Sequence, residues 1–173
     1  MTATAGNAFT AAQFNASVRD NLNQTAPAVV TGAGQLIVST AANAVAPRAP
    51  LNAVIATAQT AVSTSYVDLA TPGPAVTVTT GASAIVAIGS QLDNNTANTQ
   101  TFASYAVSGA TAVTVQHAWR ILRDGAALSN PHRYSAMSMQ AALNPGSNTF
   151  TMKYAVGGGT GTFANREIVV MPL

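Results

Sequence analysis

Residues 148–156, NTFTMKYAV, show most directly what kind of fold the chain adopts. Large apolar side chains occupy every second position, at Phe150, Met152, Tyr154 and Val156. The positions between them hold Thr149, Thr151, Lys153 and Ala155. Because neighbouring side chains of a β-strand point to opposite faces, this period of two predicts a strand with one buried and one exposed face. Half-buried strands of this kind are typical of antiparallel sheets.

Strand-like stretches continue on both sides of this segment. We predict strands at residues 65–71, 74–80, 82–92, 101–107, 113–123, 133–143 and 162–173. Turn-forming sequences lie between them, for example Pro72-Gly73-Pro74, Asp124-Gly125 and Asn144-Pro145-Gly146. The sequence therefore predicts a mainly β fold, an antiparallel jelly-roll-like β-sandwich of about eight strands.

The last predicted strand ends in IVVMPL, residues 168–173. It is apolar on both faces, and a strand buried on both sides lies in the centre of a sheet. If one face packs inside the sandwich, the other can contact a neighbouring subunit. A closed homo-oligomer is therefore expected, with a homotrimer as the first hypothesis. The candidates for its interface are Ile168, Val170, Met171 and Leu173.

Residues 7–23 predict a short N-terminal helix. Thr10 and Gln13 have the spacing of a capping box, and a phenylalanine on each side of Thr10 fits a hydrophobic staple. Apolar residues then recur every four positions and form a narrow stripe. Because a helix of about three turns is not stable alone in water, it must dock onto something. The candidate anchoring interface is Phe9, Phe14, Val18 and Leu22. The alternative is that this stripe packs on the β domain of its own chain.

Residues 24–53 contain Pro27, Gly32, Gly34, Pro47 and Pro50, with one predicted strand at 35–39. This composition predicts an extended arm with no core of its own. An extended segment of ~28 residues reaches up to ~90 Å, far enough to meet a neighbouring subunit. We therefore divide the chain into a docking helix, 1–23, an extended arm or linker, 24–53, and a β-sandwich head, 54–173.

The chain is poor in charge. Asp, Glu, Lys and Arg make up 7% of its residues, against about 25% in ordinary soluble domains. Such a surface suits permanent assembly. The cationic residues are scattered and form no basic stripe, so nucleic-acid binding is not predicted. The absence of cysteine excludes disulfides and thiolate metal ligands. No stretch has the apolar length of a membrane span, and we expect the chain to start at Met1 without a signal peptide.

Residues suited to catalysis are few. The histidines are His117 and His132, and there are five acidic residues. His117 alternates with Trp119 and Ile121 in a predicted strand, which favours a place in or beside the core over a role as a base. The run Gly157 to Gly159 lacks the lysine and the helix of a phosphate-binding loop. We predict no catalytic residues, no metal site, no cofactor and no enzymatic activity.

Two clusters could act at a surface. Tyr105, Trp119 and Tyr134 could form a stacking platform for a host glycan, although a tryptophan on a strand more often belongs to a core. Acidic residues are scarce, so at least one of the arginines at 120, 123 and 133 is expected to face another chain or backbone carbonyls.

Two groups of residues carry a family resemblance. TAGNAFTAAQFNASVRDNLNQTAP (4–27) and GAGQLIVSTAANAVAPRAP (32–50) resemble the N-terminal attachment region of small structural proteins of tailed actinobacterial phages and prophages. TSYVDLATPGPAVTVTTG (64–81) and NPGSNTFTMKY with GGGTGTFANREIVVMPL (144–154 and 157–173) resemble the β domain that follows in those proteins. The stretch 91–147 is less distinctive.

This resemblance implies a virion component, a trimer with a jelly-roll head, in a family whose members are described as head decoration, fibre-like or minor tail proteins. The first hypothesis is a capsid decoration or head-fibre-like protein on the outer surface of the capsid, bound to the major capsid protein or another virion protein. The alternative is a tail-fibre or minor tail component that binds a host receptor or glycan. An adhesin-like module outside a virion is a third interpretation.

Overall fold

The computed structural model describes residues 8, 10–19, 22, 29–124 and 131–173. The chain forms two compact units, Met1–Ala49 and Pro50–Leu173. In the first unit, helix α1 spans Ala11–Phe14 and a π-helical turn spans Asn15–Arg19. The predicted capping box is confirmed. Thr10 Oγ1 accepts a hydrogen bond from the Gln13 backbone at 3.2 Å, and Gln13 Oε1 accepts one from the Thr10 backbone at 3.1 Å. Both ends of the predicted helix lie outside the described residues.

The first unit also contains a β-hairpin. Strands β1 (Leu36–Ala41) and β2 (Ala44–Arg48) pair antiparallel, and Asn43 at the turn has a φ of 57°. Asparagine tolerates this left-handed conformation, which lets the chain reverse. The strand predicted at 35–39 is therefore confirmed, but this part of the arm folds back on itself and is not extended.

The second unit is a sandwich of two antiparallel sheets. Its strands are β3 (Leu51–Ile55), β4 (Gln59–Ala61), β5 (Ala75–Thr80), β6 (Ala84–Asn94), β7 (Thr101–Gly109), β8 (Ile121–Arg123), β9 (His132–Gln140), β10 (Gly146–Val156) and β11 (Gly161–Pro172). The four-stranded sheet has the order β5-β10-β7-β8. The five-stranded sheet has the order β3-β11-β6-β9, with β4 also paired to β11. This is the predicted mainly β, jelly-roll-like antiparallel sandwich.

Two predicted strands are largely irregular. Residues 65–71 contribute only a single bridge, between Val67 and Tyr154. Residues 113–123 hold one bridge, a 3₁₀ turn at His117–Trp119 and the short strand β8. Both segments pack apolar side chains on the core, which produces a strand-like pattern without a ladder. Conversely, β3 and β4 were not predicted, and β3 places the start of the sandwich at Leu51, before residue 54.

The core lies between the two sheets. The four-stranded sheet contributes the fully buried Tyr105, Phe150, Met152 and Tyr154, and the five-stranded sheet contributes Leu92, Phe163, Ile168 and Val170. Each large apolar side chain buried in this way stabilises the fold by about 1.5–3 kcal/mol. Strand β11 pairs with β3 and β4 on one side and with β6 on the other, so the predicted central position of the last strand is confirmed.

Candidate functional site

The two histidines lie in different parts of the sandwich unit, His117 in a 3₁₀ turn and His132 on β9. His117 belongs to the exposed 3₁₀ turn and not to a strand, because its segment leaves the ladder before β8. Its Nδ1 lies 3.0 Å from the hydroxyl of Tyr66, whose pKa burial raises to about 12. That phenol stays protonated near neutral pH and can donate to the imidazole. His132 is exposed at the start of β9 and meets the edge of Tyr134.

Three acidic side chains of the sandwich pair with cations, and Asp124 accepts a hydrogen bond from Gln100 at 3.3 Å. Asp68 lies 2.7 Å from Lys153, Asp93 lies 3.4 Å from Arg123, and Glu167 lies 2.6 Å from Arg133. Within the described residues, no three His, Cys, Asp or Glu side chains come together in a way that could hold a metal ion. None of the helices described there is long and apolar enough to cross a membrane.

The three rings proposed as a sugar platform do not share an exposed surface. Tyr105 is fully buried, and Trp119 stacks on it with ring centres 5.1 Å apart. The Tyr105 hydroxyl accepts a hydrogen bond from Gln140 and contacts the Ser138 hydroxyl, both at 2.6 Å. Tyr134 packs against the core from the five-stranded sheet. Tyr105 is therefore held inside the sandwich, where a sugar cannot stack on it, and Trp119 and Tyr134 are partly buried against the core.

The candidate anchoring residues have apolar surface available to a partner. Phe14 is 51% exposed and Leu22 is 59% exposed, while Val18 is half-buried. Phe9 lies outside the described residues. Anchoring through this stripe stays a prediction.

The candidate oligomer residues divide between the two faces of β11. Ile168 and Val170 are fully buried in the core of the sandwich, which corrects their assignment to a subunit interface. Met171 lies on the opposite, outer face together with Val169. Leu173 follows the strand, and its backbone pairs with Gly81 and Ser83. The period of two decides this division, because two apolar faces of one strand cannot both point into one core.

The outer face of the five-stranded sheet carries a row-by-row cluster of apolar side chains. The strand register places Met171, Ile85 and Met139 in one row and Val169, Ala87 and Met137 in the next. Met137 is 74% exposed and Met139 is 62% exposed. We call this surface the methionine face, defined by Ile85, Ala87, Met137, Met139, Val169 and Met171.

A hollow with an ion pair at its rim borders the methionine face. Arg133 Nη2 lies 2.6 Å from Glu167 Oε2, and Arg133 Nη1 donates to the Asn165 carbonyl oxygen at 2.9 Å. Gly89 lies beneath the guanidinium, and a Cβ atom there would stand 3.1 Å from Arg133 Nη2. The hollow has a volume of about 140 Å³ and is lined by Ala87, Ile88, Gly89, Arg133, Ser135, Glu167 and Val169.

The outer face of the four-stranded sheet is polar over most of β5 and β10, while the register also places Ala75, Ala106 and Phe102 on this face. Its rows are built from Thr77, Thr79, Ser108, Ser147, Thr149, Thr151 and Lys153. The hydroxyls of Thr77 and Thr149 are hydrogen-bonded at 2.8 Å across neighbouring strands. We call this surface the threonine face.

A buried arginine links β11 to the loop before β5. Arg166 is fully buried, and its Nη1 donates to the carbonyl oxygens of Thr71 and Gly73 at 3.2 and 3.1 Å. Its Nη2 donates to Gln59 Oε1 at 3.1 Å, and its guanidinium lies over the ring of Tyr154. A buried guanidinium with such partners ties loop and sheet together.

Comparisons with known proteins bear on the fold. The sequence matches no protein-family model and no curated protein. Among solved structures it is similar to that of infectious bursal disease virus Gt strain, with 10% identity and a TM-score of 0.50 over 78% of this chain and 37% of the viral chain. It is also similar to the infectious bursal disease virus VP2 subviral particle, with 9% identity and a TM-score of 0.51 over 78% and 36%. Eiger TNF from S. frugiperda matches with 9% identity and a TM-score of 0.48 over 72% and 91%.

The likeness to the two viral chains shows a shared fold. This chain spans little more than a third of their length. The fold is therefore one that occurs in viral particles.

Sequence reasoning did not identify the methionine face or the role of Arg166. Met137 and Met139 stand at alternate positions of a predicted strand, and such methionines are ordinarily assigned to a core. The sequence did contain one indication of this face. Ser135, Ser138 and Gln140 surround the two methionines, so the pattern did not decide which face of this strand is buried.

Proposed function

We propose that this chain is a non-enzymatic structural protein of a tailed-bacteriophage virion, a homotrimer that decorates the capsid or forms a head-fibre-like projection on its outer surface. The N-terminal unit binds the major capsid protein or another virion protein, and the β-sandwich is displayed. The observation that carries this proposal is the fold, since the sandwich is similar to chains from viral particles. The resemblance of residues 4–27 and 32–50 to phage attachment regions supports it.

The N-terminal unit supports an anchoring role. A two-stranded hairpin such as β1 with β2 is marginally stable in water unless a further surface covers it. Leu36 and Val45 on this hairpin expose apolar surface, as do Phe14 and Leu22. A partner protein that covers these side chains would stabilise both the hairpin and the helix.

The test of this function is incorporation into particles. Phe14→Asp should abolish co-sedimentation with assembled virions, because docking would bury an unpaired charge. It should leave the melting temperature of the purified protein unchanged. Ala16→Asp is the matched control, since Ala16 lies next to the stripe and is exposed. Normal incorporation of the Phe14 variant would contradict the anchor, and a large loss of melting temperature would support packing of the helix on its own chain.

Copy number and position separate the capsid hypothesis from the tail hypothesis. Labelled protein distributed over the capsid in electron micrographs, at hundreds of copies per particle, is the expected result. Label confined to the tail, at a few copies per particle, would replace the capsid assignment with the tail-fibre or minor tail alternative and its host receptor or glycan.

A further inference from the structure

We propose that the methionine face is the surface through which copies of this chain form the trimer, with the β9 methionines of one copy seated on the sheet of the next. This inference rests on the homotrimer of the proposed function. To that homotrimer it adds which surface forms the contact, what binds there and which side chains take part. The occupant is a second copy of the same chain.

Strand β9 places Tyr134 and Ala136 against the core in the usual sense, but its last four residues carry their polarity in reverse. Met137 and Met139 point outwards, whereas Ser138 and Gln140 on the same strand point inwards. The inward polar groups are accommodated because both contact the Tyr105 hydroxyl at 2.6 Å. A strand that faces only water on its outer side gains nothing from two exposed thioethers. Burial of those side chains against another protein removes their apolar surface from water.

The charge pattern indicates an uncharged apolar partner. Arg133 and Glu167, which border the methionine face, neutralise each other within one chain. The threonine face offers hydroxyls and Lys153, so burying it would cost desolvation of polar groups. The methionine face of a second copy has the matching character, with apolar side chains and a compensated ion pair.

The size of the face agrees with a subunit interface. The methionine face is the apolar part of the outer surface of the five-stranded sheet, on β6, β9 and β11. That whole outer surface, with four neighbouring strands at ~4.8 Å spacing and up to about nine residues of ~3.3 Å each, measures roughly 20 by 30 Å. This is of the same order as the ~800 Å² that each partner buries in a standard interface.

The position of the methionines is compatible with the closed ring of a trimer. They stand on β9, the edge strand of the sheet, while the hollow beside Gly89 is lined from β6, β9 and β11. Projection and hollow lie at different places on one face, so the methionines of one copy can be seated in the hollow of the next, and around a three-fold axis each copy gives one such contact and receives one. Such contacts close into rings when the rotation permits it. The flexible thioether adapts to a shallow hollow.

The first test is the mass of the full chain in solution. Light scattering at micromolar concentration should give a trimer for the native chain and a monomer for the double variant Met137→Asp with Met139→Asp. Thr77→Asp with Thr79→Asp is the matched control, because both threonines are exposed on β5, the edge strand of the other sheet, and it should stay trimeric. A native monomer would overturn the homotrimer and this inference together. A native dimer would overturn the ring. A trimeric Met137, Met139 variant would overturn the surface alone.

A second test works even if the charged variant misfolds. The chain has no cysteine, so single cysteines at Met137 or Thr77 can be labelled without background. In the trimer, the cysteine at 137 should react with a maleimide at least about tenfold more slowly than the cysteine at 77, and dilution to monomer should remove the difference. Equal rates in the trimer would exclude the methionine face. Protection that persists in the monomer would show that the face is covered within a single chain, and would also overturn the proposal.

Discussion

The two outer faces of the sandwich differ although both sheets bury the same kind of core. The threonine face exposes hydroxyls that hydrogen-bond across strands, whereas the methionine face exposes thioethers and branched aliphatic side chains. Strands of both sheets alternate with a period of two, so folding alone requires only the inner positions to be apolar. The outer positions can therefore differ according to what each sheet contacts. The threonine face contacts water and, in our proposal, the methionine face contacts a second subunit.

The largest expected effect comes from placing an aspartate at an inner position of β11 and comparing it with an aspartate at an outer position. Val170→Asp should prevent folding, because it places an unpaired charge in the core, at a cost comparable with a domain's whole stability. Met171→Asp, one residue away on the outer face, should fold cooperatively and lose only assembly. Circular dichroism with thermal unfolding checks the first variant, and solution mass checks the second. An unfolded Met171 variant would show that the outer face contributes to the fold of the single chain, which would break the comparison.

The next effect separates the two arginines of the five-stranded sheet. Arg166→Met should lower the free energy of unfolding by about 2–4 kcal/mol, because the carbonyl oxygens of Thr71 and Gly73 lose a buried charged donor. Arg133→Met removes an exposed pair with Glu167 and should cost only ~0–1 kcal/mol. Urea unfolding of the two variants measures the difference. Equal losses of unfolding free energy would mean that the ion pair between Arg133 and Glu167 stabilises the single chain as much as the buried hydrogen bonds of Arg166 do.

Strand β11 also shows what the sequence could and could not predict. The fold class, the strands at β5, β6, β7, β9, β10 and β11, and the capping box followed from alternation and turn chemistry, which are local. The path of residues 57–73, which include β4, did not, because Arg166, distant in the sequence, holds this segment to the sheet. Ile168 and Val170 were expected at a subunit interface and lie in the core, because the sequence of an apolar strand does not say which face meets its own core and which meets a neighbour.

Strand β9 gives the clearest limit of sequence reasoning. Its alternation was visible, but the side that faces inwards depends on Tyr105 of the opposite sheet, whose hydroxyl meets Ser138 and Gln140. A period of two fixes which residues share a face and leaves the choice of face to such tertiary contacts. The candidate interface could therefore be recognised only once the two sheets were placed together.

A smaller effect should come from that polar contact. Gln140→Leu should destabilise the chain by about 1 kcal/mol, because the Tyr105 hydroxyl loses one of two hydrogen bonds in the core while Ser138 remains. Met139→Gln, its outward neighbour, should leave the unfolding of the monomer unchanged and weaken the trimer. Chemical denaturation at concentrations below and above the assembly threshold separates the two. A higher free energy of unfolding for Gln140→Leu would show that the hydrogen bond between Gln140 and Tyr105 does not stabilise the fold. The inward position of the polar residues of β9 would then need another explanation.

The smallest effect is expected on the threonine face. Thr149→Val removes the hydroxyl that pairs with Thr77 and replaces it with a β-branched side chain of similar shape, so the free energy of unfolding should change by no more than about 0.5 kcal/mol. The variant should also stay trimeric, because in our proposal this face remains exposed to water in the trimer. Thr151→Val, on the same strand and face, should behave in the same way and serves as an internal repeat. Loss of the trimer in either variant would show that the subunit contact lies on the four-stranded sheet. The exposed methionines of the other sheet would then have no role in assembly.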